Sequence, residues 1–224
     1  MTIYIVNPNS SRAVTDGIDS AMAPLRRFSP VPITAVQLDE GPKGIETQAH
    51  VDGVVGPLLA RAAALEADAS AFVVACFSDP GLAALREQSR RPVLGIAESA
   101  ILTAMTMGQR FGIISILSRS VPRHMRMLGA MGVMDRLAAD LPLELGVADL
   151  TDRARTFARL REVGGQLRDA HGAEVLILGC AGMTSYRADL SATLGCPVVE
   201  PCEAAAAMAI GRVALAGAYP PMKG

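Results

Sequence analysis

The sequence predicts an α/β protein with two pseudo-symmetric lobes, each a mainly parallel sheet flanked by helices. Short apolar runs alternate with segments of helical periodicity, which is typical of parallel strands covered by helices on both faces. In addition, two stretches share one pattern. In each, an apolar run ends in cysteine, a polar turn and a helix follow, and then come Pro-Val and a glutamate six residues after the proline.

The two copies of this pattern divide the chain. The first runs from Ala71 through Cys76 to Glu98, and the second from Val175 through Cys180 to Glu203. Each copy therefore places a thiol at the same strand end, as an internal duplication would. We expect residues 1–98 to form the first lobe, completed by a C-terminal helix at about 204–218, and residues 99–203 to form the second.

Local signals predict the individual elements. Thr2 to Val6 form a β-branched run typical of a strand, and the polar residues 7–11 can cap a helix expected to reach about Arg27. Asp79 and Pro80 are interpreted as the cap and first-turn proline of another helix. Further strands are expected at 31–38, 72–75, 111–114 and 174–178, and helices at 47–65, 79–90, 120–131, 152–170 and 202–216.

The amino-acid composition indicates which kind of partner the protein binds. The chain has 224 residues, half of them hydrophobic, so it can bury a sizeable core. Its net charge of -1 provides no basic surface for nucleic acid or an anionic membrane. The N-terminus shows no signal peptide, and no apolar stretch approaches the ~20 residues of a membrane span. We expect a cytoplasmic protein whose partner is a small molecule.

Metal binding is not indicated. Cys196 and Cys202 lie six residues apart, which is not a usual zinc spacing, and they have no counterparts in the first copy of the pattern. We expect them to be packing residues, and all four cysteines to be free thiols. The histidines, His50, His124 and His171, show no paired spacing and are expected to be partly exposed and solvated.

Organic cofactors also lack a recognisable site. Residues 41–44 (Gly-Pro-Lys-Gly) lack the ending of a phosphate-binding loop, and no Gly-x-Gly-x-x-Gly motif is present. A pyridoxal phosphate enzyme needs a Schiff-base lysine, and the chain offers only Lys43, in that loop, and Lys223, next to the C-terminus. The sequence therefore predicts chemistry without a cofactor.

Cys76 and Cys180 are the candidate catalytic residues. Each ends a predicted strand just ahead of a helix, and ligands of open α/β sheets bind at such ends. A helix N-terminus can lower the pKa of a cysteine, so we expect reactive thiols. Buried, inert cysteines are the alternative, but recurrence in both halves favours a pair. A thiolate and a thiol on opposite faces of a carbon could remove and return its proton.

Three motifs carry a family resemblance: Ile5 to Ser10 (IVNPNS), Ala75 to Leu82 (ACFSDPGL) and Leu178 to Met183 (LGCAGM). They resemble the hydantoin racemase branch of the aspartate/glutamate racemase superfamily. The resemblance implies two homologous lobes, an active site in the cleft between them, and cofactor-independent proton transfer beside a carbonyl by a thiolate/thiol pair. It also implies a homo-oligomer, for which methionine-rich helices are candidate contact faces.

The residues after each cysteine indicate the substrate class. Amino-acid racemases of the superfamily usually have Cys-Asn-Thr and Gly-Cys-Thr, whereas this chain has Cys-Phe-Ser and Gly-Cys-Ala. This difference favours an uncharged cyclic ureide, either a 5-substituted hydantoin or allantoin. An aspartate/glutamate-type racemase, a decarboxylase of the same superfamily and a non-catalytic ureide-binding protein remain alternatives.

The candidate substrate-binding residues form two groups. Backbone N–H groups after each cysteine are expected to bind the ring oxygens, at Phe77, Ser78, Ala181 and Gly182. Polar residues of the other strand-end loops could bind ring N–H and C=O groups, or could instead cap helices: Asn7, Ser10, Ser11, Ser115 and Ser118. Glu98 and Glu203 are interpreted as first-turn acids of helices.

Overall fold

Two four-stranded sheets form the centre of the protein, whose computed structural model describes residues 1–216. The elements up to residue 105 are β1 (Thr2–Asn7), α1 (Arg12–Ala21), α2 (Ala23–Arg26), β2 (Ile33–Gln37), α3 (Gln48–Gly53), α4 (Val55–Leu65), β3 (Ala69–Val74), α5 (Leu82–Gln88), β4 (Val93–Gly95) and α6 (Ile96–Met105). The later elements are β5 (Phe111–Ser115), α7 (Val121–Met131), β6 (Leu137–Pro142), α8 (Arg153–Asp169), β7 (Val175–Leu178), α9 (Arg187–Leu194), β8 (Val198–Val199) and α10 (Pro201–Ala214). Short 3-10 helices lie at Ser118–Ser120, Met134–Arg136, Ala148–Thr151 and Ala181–Tyr186.

The two sheets have the same topology. Their strand orders are β2-β1-β3-β4 and β6-β5-β7-β8, and every pairing is parallel. The central strands β3 and β7 are wholly buried, which explains their unbroken apolar runs. The predicted fold class, two α/β lobes with parallel sheets, is confirmed.

The helix that follows each sheet packs against the other half. Apolar residues of α6, such as Ile101, join one buried cluster with Ile113 and Ile177 of β5 and β7. Alanines of α10 join another cluster with Ile3 and Val73 of β1 and β3. Helices α6 and α10 also contact each other, so the halves share an apolar interface. The lobe boundaries at 98 and 203 stay predictions, and residues 217 and 218 of the expected last helix lie outside the described residues.

Several predicted elements needed correction. The helix expected up to Arg27 breaks at Met22, since Pro24 has no N–H to donate to the preceding turn. The helix expected at 47–65 is two helices that meet at Val54, and Pro57 likewise lacks an N–H there. Strands β4, β6 and β8 were not predicted. Two of them have only three and two residues, and β6 is an edge strand without alternating polarity.

None of the helices within residues 1–216 has the length and hydrophobicity needed to cross a bilayer. That part of the chain also holds no group of three or more His, Cys, Asp and Glu side chains suited to a metal ion. The expectation of a metal-free site stays a prediction.

Candidate active site

The two repeated cysteines line one cleft. Cys76 lies two residues past the end of β3, and Cys180 lies two residues past the end of β7. Because these strands occupy equivalent positions in sheets of the same order, the carboxyl ends carry the thiols to matching places. The cleft measures about 440 Å³, counting the space at its open mouth, and both cysteines contribute to its walls.

Two equivalent four-residue segments form much of the wall: residues 75–78 from the first half and 179–182 from the second. The predicted residues Phe77, Ser78, Ala181 and Gly182 are among them. Gly179 permits close approach between strands, since a Cβ there would lie 2.7 Å from the carbonyl oxygen of Ile114. Only glycine lets β7 end so close to β5.

The backbone amide two residues after each cysteine donates to that cysteine's own sulfur. The N–H of Gly182 lies 3.3 Å from Cys180 Sγ, and the N–H of Ser78 lowers the pKa of Cys76 in the same way. A hydrogen bond to the charged form favours it, so these amides favour the thiolates. Binding of ring oxygens by these amides stays a prediction.

Burial nevertheless raises both thiol pKa values. The side chains are partly covered, and desolvation raises the pKa of Cys76 to about 12 and that of Cys180 to about 11. A negative charge on Cys180 raises the pKa of Cys76 further, so the two thiols do not ionise independently. The expectation of lowered pKa values was wrong because desolvation outweighs the amide hydrogen bonds.

Cys180 is the N-cap of the 3-10 helix that begins at Ala181, but Cys76 does not lie at a helix terminus. Helix α5 begins only at Leu82, six residues after Cys76, and a turn with left-handed Asp79 (φ 42°) and Gly81 (φ 65°) separates them. Asp79 does not cap α5. Its carboxylate accepts the N–H groups of Ala97 and Glu98, at 3.0 and 2.9 Å, and so caps α6.

Arg123, near the start of α7, supplies a positive charge near Cys76. Its guanidinium lines the cleft and lowers the pKa of the Cys76 thiol. Nε lies 3.4 Å from Ser78 Oγ, and Nη2 lies 3.1 Å from Ser120 Oγ. Sequence reasoning missed it, because an arginine in a polar helix is usually solvated.

Cys180 has a different electrostatic environment. The carboxylates of Glu46 and Glu200 raise the pKa of the Cys180 thiol. Glu46 bridges the halves, since Oε1 accepts the N–H of Val147 at 2.9 Å and Oε2 lies 3.3 Å from the guanidinium of Arg119. The two thiols therefore hold equivalent positions in unequal fields.

A buried histidine also lines the cleft. His124 is 2% exposed, and its Nδ1 lies 2.7 Å from Asp140 Oδ2 and 3.2 Å from Ser115 Oγ. Ser115 also donates a hydrogen bond to Asp140. The imidazole meets the ring of Phe77 edge-on, with centroids 5.2 Å apart. The prediction of a partly exposed, solvated His124 was therefore wrong.

The predicted loop residues do not all reach the cleft. Ser115 supports His124 and Asp140 instead of lining the cleft, and Ser118 is exposed, whereas Ser120 lines it. The roles of Ser115 and Ser118 as substrate contacts stay predictions. The chain turns into a 3-10 helix at residue 118, and residue 120 of that helix lines the cleft.

Asn7 at the end of β1 has a supporting position like that of Ser115. Asn7 is fully buried, and its Nδ2 donates to Asn9 Oδ1 and Thr15 Oγ1, both at 3.0 Å. Asn9, not Asn7, lines the cleft. The backbone N–H of Ser10 donates to Pro42, and Ser10 also lies outside the cleft wall. Local hydrogen bonds use the side chain of Asn7 and the backbone N–H of Ser10, and the roles of both residues as substrate contacts stay predictions.

Ser11 caps α1, accepting the N–H of Val14 at 3.4 Å, and lines a second cavity that adjoins the cleft. This adjoining cavity measures about 1270 Å³, counting open space. It shares four wall residues with the cleft: Val14, Val147, Ala181 and Gly182. Lys43, Leu150 and Tyr186 extend its wall. The other lysine, Lys223, lies outside the described residues.

The two repeated glutamates and the two cysteines without a counterpart in the other half have structural roles. Glu98 and Glu203 lie in the first turns of α6 and α10, as predicted. Cys196 and Cys202 are buried in apolar clusters, which confirms their packing role, and all four cysteines are free thiols. Glu200 is 1% exposed and caps α10 through the N–H groups of Cys202 and Glu203.

Two duplicated parallel sheets with paired thiols at matching strand ends define a two-lobed α/β protein of the racemase type. Residues 3–209 match the model of the family described as Asp/Glu/hydantoin racemase. The chain belongs to this family, and its enzyme class is that of the racemases, which are isomerases.

Individual relatives agree with this assignment. The chain is 36% identical over 219 residues to a hydantoin racemase of Paenarthrobacter aurescens, covering 96% of this chain and 92% of that protein. Its structure matches an allantoin racemase from Klebsiella pneumoniae with a TM-score of 0.92 and 30% identity, covering 99% and 90% of the two chains. An arylmalonate decarboxylase matches with a TM-score of 0.68 and 18% identity over 95% and 92%, which shows the shared fold alone.

Proposed function

We propose that the protein racemises 5-substituted hydantoins, allantoin among them, by two-base proton transfer at ring C5 without a cofactor. Cys76 and Cys180 are the two bases. The observation that carries the proposal is their shared position: both thiols follow equivalent strands and line one cleft. Inverting a carbon requires a base on one face and an acid on the other, and two groups of one kind can exchange these roles.

The reaction needs one thiolate and one thiol. The thiolate removes the C5 proton, the electron pair moves into the adjacent carbonyl, and the opposite thiol returns a proton to the other face of C5. The thiolate formed by that second transfer then serves the reverse reaction. Because burial raises both pKa values, each thiolate is scarce at neutral pH but is a strong base once formed. A strong base suits a weak carbon acid.

Several groups near the cleft stabilise the negative charge that the reaction needs. The amides of Ser78 and Gly182 stabilise a charge on sulfur, and Arg123 adds a positive charge near Cys76. As the proton leaves C5, negative charge moves from sulfur to the ring oxygen. Donors already oriented toward this cleft lower the cost of that movement, because they need no reorganisation during the reaction.

The wall of the cleft favours a neutral substrate. Among the described residues that line it, Arg123 is the one Arg, Lys, Asp or Glu. A zwitterionic amino acid would need an anionic partner for its ammonium group, and the wall offers none. A cyclic ureide carries no such charge, and its 5-substituent could extend into the adjoining cavity beyond Gly182. The names of the Paenarthrobacter and Klebsiella relatives support the same substrate class.

Optical activity tests the substrate class. Purified protein without added cofactor is incubated with enantiopure 5-alkylhydantoins, allantoin, L-aspartate and L-glutamate, and the enantiomeric ratio is followed by chiral chromatography. We expect racemisation of a hydantoin or of allantoin and none of the two amino acids. Cys196→Ser is the matched control, because Cys196 is buried outside the cleft and its variant should keep the activity. Racemisation of the amino acids alone would contradict the proposal.

The alternatives give different results. A decarboxylase would release carbon dioxide from a malonate-type acid, and retention of both thiols in one cleft disfavours it. A non-catalytic ureide-binding protein would bind a hydantoin without racemising it. Protection of Cys76 and Cys180 from alkylation by a hydantoin, together with turnover, supports the enzyme. The cytoplasmic location and the homo-oligomer stay predictions.

A further inference from the structure

The two halves carry matched polar triads beside the cleft. In the first half, Asn7 at the end of β1 donates to Thr15 of α1, whose hydroxyl lies 3.2 Å from Gln37 Oε1 of β2. In the second half, the same three elements contribute Ser115 from β5, His124 from α7 and Asp140 from β6. The first triad cannot ionise near neutral pH. In the second triad the equivalent helix and strand contribute a histidine and a carboxylate, and the carboxylate lies two residues earlier along its strand than the counterpart of Gln37.

The second triad fixes the orientation of the imidazole. The side chains of His124 and Asp140 are 2% and 1% exposed, and Nδ1 is the ring nitrogen that meets the carboxylate. A carboxylate accepts but does not donate, so Nδ1 carries the hydrogen and Nε2 has a free lone pair in the neutral ring. Edge-on packing against Phe77 restricts ring rotation further.

Nε2 is the ring nitrogen of His124 that takes no part in the triad. His124 lines the cleft, and within residues 1–216 its Nε2 makes no hydrogen bond. Phe77, which packs on the imidazole, directly follows Cys76. A buried polar group with a fixed partner on one side and a cleft on the other is a typical arrangement for ligand recognition.

We propose that His124 is a substrate-binding residue whose Nε2 accepts a hydrogen bond from a ring N–H of the cyclic ureide, with Asp140 and Ser115 as positioning residues. This inference rests on the proposed function. It gives the second half of the protein a polar contact that its duplicated counterpart lacks. The contact would orient the ring next to Cys76 and would distinguish a ureide N–H from an N-alkyl group.

N-methylated substrates test the contact. The values of kcat/KM are measured for a 5-alkylhydantoin and for its N1-methyl and N3-methyl derivatives, with the wild type and with His124→Phe. Losing one buried hydrogen bond should cost about tenfold to hundredfold. We expect wild type to disfavour one methyl derivative by that factor, and His124→Phe to lose most of this discrimination. A steric penalty of the methyl group against any residue other than position 124 is the same in both proteins and cancels in the ratio.

Two further variants separate binding from structure. In Asp140→Asn the amide can donate to Nδ1, which moves the ring hydrogen to Nε2, so we expect the same loss of discrimination with little change in volume. Thr15→Val alters the matched triad of the first half and should keep the discrimination, whatever it does to activity. Thermal unfolding of each variant shows whether it folds. If His124→Phe does not fold, Asp140→Asn alone tests the His124 contact.

The outcomes are distinct. If wild type racemises the parent hydantoin, but His124→Phe and Asp140→Asn discriminate against both methyl derivatives as strongly as wild type does, the His124 contact is wrong while the proposed function stands. If wild type racemises neither hydantoins nor allantoin, the proposed function itself fails. Loss of discrimination in both variants, with Thr15→Val unchanged, supports the contact.

Discussion

Cys76 and Cys180 hold equivalent positions, two residues past the third strand in order of each sheet, yet their electrostatic environments differ. Asp79 raises the pKa of Cys76 and Arg123 lowers it. Two glutamate carboxylates, by contrast, both raise the pKa of Cys180. The shared topology accounts for the equivalent positions, and the different loops around them account for the unequal charges.

Removing the guanidinium of Arg123 should make Cys76 less reactive. In Arg123→Met the positive charge near the sulfur is lost, so the pKa of Cys76 rises and its thiolate becomes scarcer. Iodoacetamide alkylation, followed for each cysteine by peptide mass spectrometry at pH 9, should slow at Cys76 and change little at Cys180. Arg123→Lys should restore part of the rate. An equal slowing at both cysteines would show that the effect is not local.

The buried carboxyl of Glu200 should make stability depend on pH. Burial raises its pKa from 4.5 to about 7, so the native state binds this proton more tightly than the unfolded chain. The stabilisation is complete below about pH 4.5 and is lost as the pH rises to about 7. Relative to Glu200→Gln, the free energy of unfolding of wild type should therefore fall by on the order of 3 kcal/mol over that range.

Urea unfolding of both proteins at several pH values measures this difference. Glutamine retains one acceptor oxygen, so it keeps one of the two hydrogen bonds from the amides of Cys202 and Glu203. Loss of the other lowers stability equally at every pH and leaves the pH dependence to report on the carboxyl group. A difference between the two proteins that stays constant from pH 4.5 to 7 would mean that Glu200 titrates normally.

Gly95→Ala should weaken the cap of α6. A Cβ at Gly95 would lie 2.2 Å from the carboxylate of Asp79, which accepts the first amides of that helix. Displacing the carboxylate should cost about 1–2 kcal/mol of stability, the usual worth of a helix cap. Urea unfolding measures it.

Gly129→Ala is the control for that substitution. Gly129 is exposed in α7 and a Cβ there would contact nothing within 4 Å, so alanine should stabilise the protein by roughly 0.5–1 kcal/mol. If both alanine variants are equally stable, Asp79 is not an effective cap.

The sequence predicted the features that depend on repetition. The recurrence of Cys76 and Cys180 indicated both the duplication and the shared cleft, because equivalent strands end at equivalent positions of their sheets. It could not predict the burial of His124, which depends on Asp140, sixteen residues away on an edge strand without a recognisable pattern. The residues next to His124 and Asp140 in the chain do not indicate that these two side chains pair.

The direction of the thiol pKa shifts also escaped prediction. The sequence predicts that Asp79 caps the helix after Cys76. In the structure Asp79 lies in a left-handed turn, and its carboxylate caps α6 instead. Desolvation depends on what the other half places over the sulfur, and that is a property of the assembled cleft. The local sequence therefore identified the candidate bases but did not predict their pKa values.

Deuterium incorporation tests the two-base account most directly. Each enantiomer of a 5-alkylhydantoin is incubated in D₂O with wild type, Cys76→Ser, Cys180→Ser and the control Cys196→Ser, and both optical activity and C5 deuteration are followed. Wild type and Cys196→Ser should racemise and deuterate both enantiomers. Each single variant at the cleft should lose racemisation while the remaining thiol exchanges the C5 proton of one enantiomer, with opposite enantiomers for the two variants. Racemisation at the wild-type rate by either Cys76→Ser or Cys180→Ser would contradict the account.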